Sequence, residues 1–166
     1  MKKIGLSLLL ILSLSACVSN SNEELTYQIY KTTYQSILNT TSFQTSSQNF
    51  NINVTLTDQG NGNVRYDLFV DEPKISMYDI EILAIVDTGL LVVSEAMMPS
   101  IGIFEDAQYH MIPYQINADY GYQKGFNLNG VITSRQLTLK VLVMWKDYFK
   151  IRTYKETFKF DISLNG

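Results

Sequence analysis

The chain holds one cysteine and one histidine in 166 residues, and these two scarcities exclude whole classes of chemistry. A single cysteine, Cys17, cannot close an internal disulfide or build a multi-thiolate metal site, so an exported form must rely on its hydrophobic core. Nucleophilic catalysis needs a base beside its nucleophile, most often a histidine. Here only His110 is available, inside the stretch Tyr109-His110-Met111-Ile112. The expectation is a hydrogen-bonded strand histidine, rather than a pH-sensing or ligand-binding one. No serine sits in a G-x-S-x-G elbow or three residues ahead of a lysine, and no glycine-rich phosphate loop is written. The expected catalytic set is therefore empty, with no metal and no cofactor. Basic clusters are missing too, which makes nucleic acid and acidic lipid head groups poor partners. No apolar run reaches the ~20 residues of a membrane-crossing helix.

What is present begins at the first residues. Lys2 and Lys3 precede the apolar run Ile4 to Leu12, and the small residues Ser15-Ala16 lead into Cys17. Positive start, short apolar core and small-residue exit form a secretory signal peptide, expected to be removed over residues 1–16. Its loss takes both lysines, moving the formal charge from -3 to -5 and leaving 150 residues, enough for one domain with a core. With 46% apolar and 12% aromatic residues, disorder is not expected for the bulk of the chain.

Leu14-Ser15-Ala16-Cys17 resembles the lipobox of bacterial prolipoproteins: an aliphatic residue, two small residues and the cysteine. The resemblance covers the signal only. It implies a diacylglyceryl group on the Cys17 sulfur, cleavage after Ala16, and a mature protein held at the cell membrane on its extracytoplasmic side. Two or more acyl chains hold durably where one does not. Residues 17–22 would then be a lipidated polar tether. The later segments Met77-Tyr78-Asp79, Met98 to Phe104 and Lys140 to Lys146 are similar to uncharacterised small lipoproteins of low-GC Gram-positive bacteria, a similarity that implies no particular activity.

Residues 23–49 read as a helix and a polar linker. Tyr27, Tyr30, Tyr34 and Ile37, with Leu38 beside them, recur at steps of three and four. Ser21 and Glu24 have capping-box spacing, and Glu23-Glu24 suit a first turn. The face is expected to pack on the domain, since an interfacial membrane helix would carry more lysines than Lys31 alone. Asn39 to Asn49 is rich in Ser, Thr, Asn and Gln and reads as a linker.

From Phe50 the period becomes two. Phe50, Ile52, Val54 and Leu56 share a face, as do Val64, Tyr66, Leu68 and Val70 across a hairpin turn at Asp58 to Asn63. A central strand is expected over Ile75 to Asp87 with a bulge near Met77, and a short one at Leu90 to Val93. Two more are expected at Tyr109 to Ile116 and Tyr122 to Ile132, and a closing pair at Gln136 to Asp147 and Ile151 to Ile162. Residues 50–164 therefore form a mainly β domain, expected as an antiparallel immunoglobulin-like sandwich of 7–8 strands behind one N-terminal helix, with a closed barrel as the alternative.

Two sets of residues are candidate binding surfaces. Tyr109, Tyr114, Tyr120 and Tyr122, with Trp145, have flat faces suited to sugar rings or a partner protein, or serve as strand residues. Met97, Met98, Ile101 and Phe104, around Pro99 and Gly102, form an adaptable apolar loop or else a plug over an open end of the sandwich. Asp79 with Glu81, and Glu105-Asp106, are the carboxylates to weigh for paired-acid or calcium chemistry, against a solvated surface. The function expected is a non-enzymatic, lipid-anchored module that binds or scaffolds another component of the cell envelope. A cell-wall glycan binder is the alternative, and a hydrolase comes third.

Overall fold

The computed structural model describes residues 19–164 of the protein; Cys17 and the signal segment 1–16 lie outside them. Helix α1, Ser19–Leu38, is followed by seven strands: β1 Asn51–Gly60, β2 Asn63–Asp71, β3 Tyr78–Val86, β4 Ser100–Ile101, β5 Gly125–Ile132, β6 Gln136–Lys146 and β7 Thr153–Ser163. They form two antiparallel sheets, one ordered β1-β2-β5 and the other β4-β3-β6-β7. No strand is shared between them, so the domain is a sandwich and not a barrel. Among the described residues no helix is long and apolar enough to cross a membrane.

The alternation read in the sequence sets the inward face of each strand. Val54, Tyr66, Leu68, Val70 and Leu128 from the first sheet meet Ile82, Ala84, Leu139, Val141, Val143 and Phe158 from the second in one core. Phe50 packs edge-on against both Trp145 and Phe158, each at 5.8 Å. Trp145 is thus a core residue at 2% exposure and no part of a binding surface. The β1–β2 hairpin closes through Asn61 and Gly62, both at positive φ (54° and 80°), which matches the twist of the flanking strands. The Asp58 carboxylate accepts the Gly60 N–H at 2.8 Å and pairs with Arg135 at 3.0 Å, so the polar run at 58–63 is a braced turn.

A second apolar layer lies outside the four-stranded sheet. Tyr30, Tyr34, Ile37 and Leu38 of α1 bury against Leu83, Ile85 and Leu142, with Met98, Ile103 and Met144 closing the edges. This explains why β3 and β6 are apolar on both faces. Among the described residues the helix covers Ser19–Leu38, so residues 19–22 of the expected tether are helical. No proline or glycine interrupts the segment from Ser19 to Leu38, and nothing there stops the helix earlier. The following polar stretch is also tied down. The Gln44 N–H donates to the Thr157 carbonyl at 2.8 Å, covering the outer edge of β7.

Two expected strands are corrected. Leu90 to Val93 is loop, not strand, with Leu90, Leu91 and Val92 exposed at 65%, 67% and 71%. Tyr109 to Ile116 is not a strand either. It makes only isolated bridges, His110 to Tyr122, Met111 to Met77 and Ile112 to Gln115, and the strand expected from Tyr122 starts at Gly125. The bulge expected near Met77 is present, as an irregularity between Tyr78 and Glu81 with Asp79 at φ 46°. That extra residue lets Met77 and Ile80 both reach the inter-sheet core.

Candidate binding groove

The β2–β3 turn and the long β4–β5 connection meet at one end of the sandwich. Asp71 ends β2, and Glu72 at φ 48° with Pro73 turns the chain away from the sheet. The connection is pinned to it by Met77 and Met111, whose backbones exchange hydrogen bonds at 2.8 and 2.9 Å. Ile112 to Gln115 then forms a tight turn closed by the Gln115 N–H on the Ile112 carbonyl at 3.1 Å. Pro113 sits at its second position, where a fixed φ helps, and Tyr114 at its third with φ 63°. This is the type II pattern, whose third position normally takes glycine or asparagine.

The left-handed conformation costs a bulky L-residue roughly 1 to 2 kcal/mol, and Tyr114 buries nothing in return, being fully exposed. Tyr114 lines an open cavity of about 470 Å³ together with Glu72, Pro73, Lys74, Ile112, Ile116 and Lys124, among others. The lining is mostly apolar and includes charges of both signs, Glu72 with Lys74 and Lys124. The loop then returns through a short 3-10 turn at Ala118–Tyr120 and Gly121 at φ 77°. A side chain on Gly121 would lie 2.2 Å from the Gln108 carbonyl oxygen, so glycine is required for the loop to close.

Beneath the loop lies His110, 8% exposed, with its ring 5.2 Å from Tyr78 and 5.1 Å from Tyr122. Its Nδ1 accepts the Asp79 N–H at 3.1 Å, which satisfies the amide of the bulge residue. Burial, with the charge of Lys150 nearby, lowers the His110 pKa and keeps the ring neutral. The Asp79 Oδ1 at 3.9 Å is therefore not an ion-pair partner at neutral pH. Burial alone would raise the Asp79 carboxyl, but hydrogen bonds from Lys150 at 2.8 Å and Lys146 at 3.2 Å outweigh it and hold its pKa below the usual value.

The four tyrosines separate. Tyr109 packs edge-on against Phe126 at 5.7 Å beside the core, and Tyr122 flanks His110, so both are structural. Tyr114 and Tyr120 are exposed, but only Tyr114 lines the groove. The Met97 to Phe104 segment does not plug an open end. It supplies β4, its Ile101 reaches the inter-sheet core, and its Met98 joins the helix layer, while Met97 and Phe104 remain exposed on that side. A Cβ on Gly102, at φ 74°, would meet the Ile80 carbonyl oxygen at 2.1 Å, which fixes the close approach of this segment to β3.

Asp79, Glu81, Glu105 and Asp106 line one small cleft of about 180 Å³ with Lys146. Sequence order did not place them together. Burial raises the Glu81 pKa. Among the described residues, no group of three or more His, Cys, Asp or Glu side chains is arranged to hold a metal ion. Missed in the sequence were Glu72, Lys74, Ile112 and Lys124, which flank the groove from two separate loops. Comparison of the chain with protein-family models, curated proteins and solved structures finds no match.

Proposed function

We propose that this protein is a lipid-anchored, extracytoplasmic binding module of the cell envelope, non-enzymatic, with its ligand surface in the groove under Tyr114. The observation that carries the reading is Tyr114 itself, an exposed aromatic residue held at left-handed φ in the lining of a mostly apolar cavity. Backbone strain and exposed aromatic area are both unfavourable for stability alone, and they coincide where a ligand would gain from them. The anchor rests on Leu14-Ser15-Ala16-Cys17. Against an enzyme stands the use of His110, whose Nδ1 is engaged by a backbone amide under a closed loop.

The sandwich is immunoglobulin-like in this reading. Its sheet order supports that: the fifth strand returns beside the second, and the sixth lies between the third and the seventh. The ligand is a segment of another envelope protein. A photo-crosslinking residue at position 114, activated in intact cells, should capture a recurrent protein, and its absence at the exposed control position 57 would show specificity. Adducts only with cell-wall glycan would favour the sugar-binding alternative, for which the free face of Tyr114 is the supporting feature. No adduct above the control would refute the groove as the ligand surface.

A further inference from the structure

Three of the four sheet edges are blunted. β4 is two residues long, and the chain beyond it follows β3 through Tyr109 and Met111. β7 carries Lys155, Lys159 and Asp161, and Gln44 bonds to its backbone at Thr157 and Lys159. β1 lies against β7 and leaves its own ladder at the irregularity between Asp58 and Gly60. The edge at β5 is bare. Gly125–Ile132 pairs with β2 alone, in unbroken register, and contains no charge and no proline. In an antiparallel pair every second residue turns its N–H and C=O to the far side, and no further backbone hydrogen bond reaches β5 among the described residues. Gly130 has no side chain, so its partial exposure is exposed backbone. Free edges are normally protected by charge, proline or a bulge, and an unprotected one is a template for another strand.

The side chains of β5 select the occupant. Val131, at 63% exposure, is the one exposed large apolar residue of β1, β2 and β5. Six residues away on the same face, Gly125 lies in a hollow of about 280 Å³ lined by Phe69, Asp71 and Asn127, among others. A Cβ on Gly125 would stand 2.5 Å from that of Asp71, so the position stays bare. Against a second copy, antiparallel and centred on Leu128, Val131 falls opposite Gly125 and fills the hollow of the other chain. The same register sets Asn127 opposite Asn129 and Phe126 opposite Gly130, an aromatic residue over a glycine. Lys124, the charge next to the strand, meets Ile132, so no like charges face each other. We propose that the protein pairs with a second copy of itself through β5, joining the two β1-β2-β5 sheets into one across a two-fold axis. The pairing needs neither the groove nor the lipid anchor.

The test is sedimentation equilibrium of the full-length protein in density-matched detergent, which reads the protein mass whether or not Cys17 is acylated. A monomer–dimer equilibrium is expected, with hydrogen exchange of the β5 amides slowing as the dimer fills. Asn127→Lys with Asn129→Lys sets lysine opposite lysine twice and should raise the dissociation constant about tenfold. Asn127→Lys with Asn129→Glu sets lysine opposite glutamate twice and should return it to the parent value or below. Both positions are exposed, and the unfolding temperature checks that each variant folds. A single monomer mass at every concentration overturns the proposal. A dimer whose β5 amides exchange no more slowly than the monomer's overturns it without any variant. So does a dimer that both variants leave unchanged, because its interface then lies elsewhere, and so does one that both weaken equally, because Asn127 and Asn129 are then not opposed.

Discussion

The Asp79 N–H donates to Nδ1 of His110 at 3.1 Å, joining the β3 bulge to a loop residue 31 positions later. This bond requires a neutral imidazole with a free lone pair, and burial supplies that by lowering the His110 pKa beneath 6.5. Below 6.5 the unfolded chain binds a proton that the folded chain resists, so stability falls with pH until the folded pKa is reached and is level below it. The groups facing the ring are Asp79 and Lys150 with Tyr78 and Tyr122. Unfolding temperatures of the protein and of His110→Asn should converge as pH drops from 7 to 5. A constant gap over that range would refute the assignment.

Glu81 has the opposite sign. Burial raises its pKa above 4.5, and the Lys146 charge offsets this only in part. A raised carboxyl contributes stability that is fully present below pH 4.5 and is lost as pH rises through the folded pKa. Glu81→Gln keeps the shape and removes the half-buried charge, so it should raise the unfolding temperature at pH 8 and leave it unchanged at pH 4. Equal shifts at both values would point to packing instead of charge.

Much of the fold was legible because packing follows periodicity. Tyr30, Tyr34, Ile37 and Leu38 did bury together, and the doubly apolar β6 announced a layer on each face through Leu142 and Met144. What failed were local apolar runs without a partner. Leu90 to Val93 has strand composition but no neighbour to pair with, because the edge of β3 is taken by Ser100–Ile101. Tyr109 to Ile116 bends at Pro113-Tyr114, and the missing glycine after the proline hid a type II turn. The groove was invisible for a different reason. Glu72 to Lys74 and Ile112 to Lys124 lie some forty residues apart and meet only through the bridge of Met77 to Met111.

Tyr114 separates stability from binding. Glycine at this position relieves the left-handed strain but loosens the unfolded chain, two effects of about 1 kcal/mol each and of opposite sign. No packing is lost, because the side chain is fully exposed. Tyr114→Gly should therefore unfold within about 1 kcal/mol of the parent in denaturant titration, while affinity for the groove's ligand disappears. A large destabilisation with binding retained would make Tyr114 a structural residue and remove the ground for the groove.

Tyr30 ties the helix to the β3–β4 connection through one hydroxyl. The ring is fully buried, and its oxygen accepts the Met98 N–H at 2.9 Å, while burial raises the phenol's pKa and keeps it protonated. Tyr30→Phe preserves the ring stacking against Tyr27 and Phe104 and deletes only the acceptor. The Met98 amide is then left without its partner beneath the helix, a defect of about 1 to 3 kcal/mol. Exposed Tyr27 makes no such bond among those described, so Tyr27→Phe should be neutral within about 0.5 kcal/mol. Hydrogen exchange distinguishes a local effect from a global one. In Tyr30→Phe the amides from Met98 to Ile101 should lose protection before those of β6 do. Uniform loss across both regions would mean that the hydroxyl supports the whole fold and not the connection.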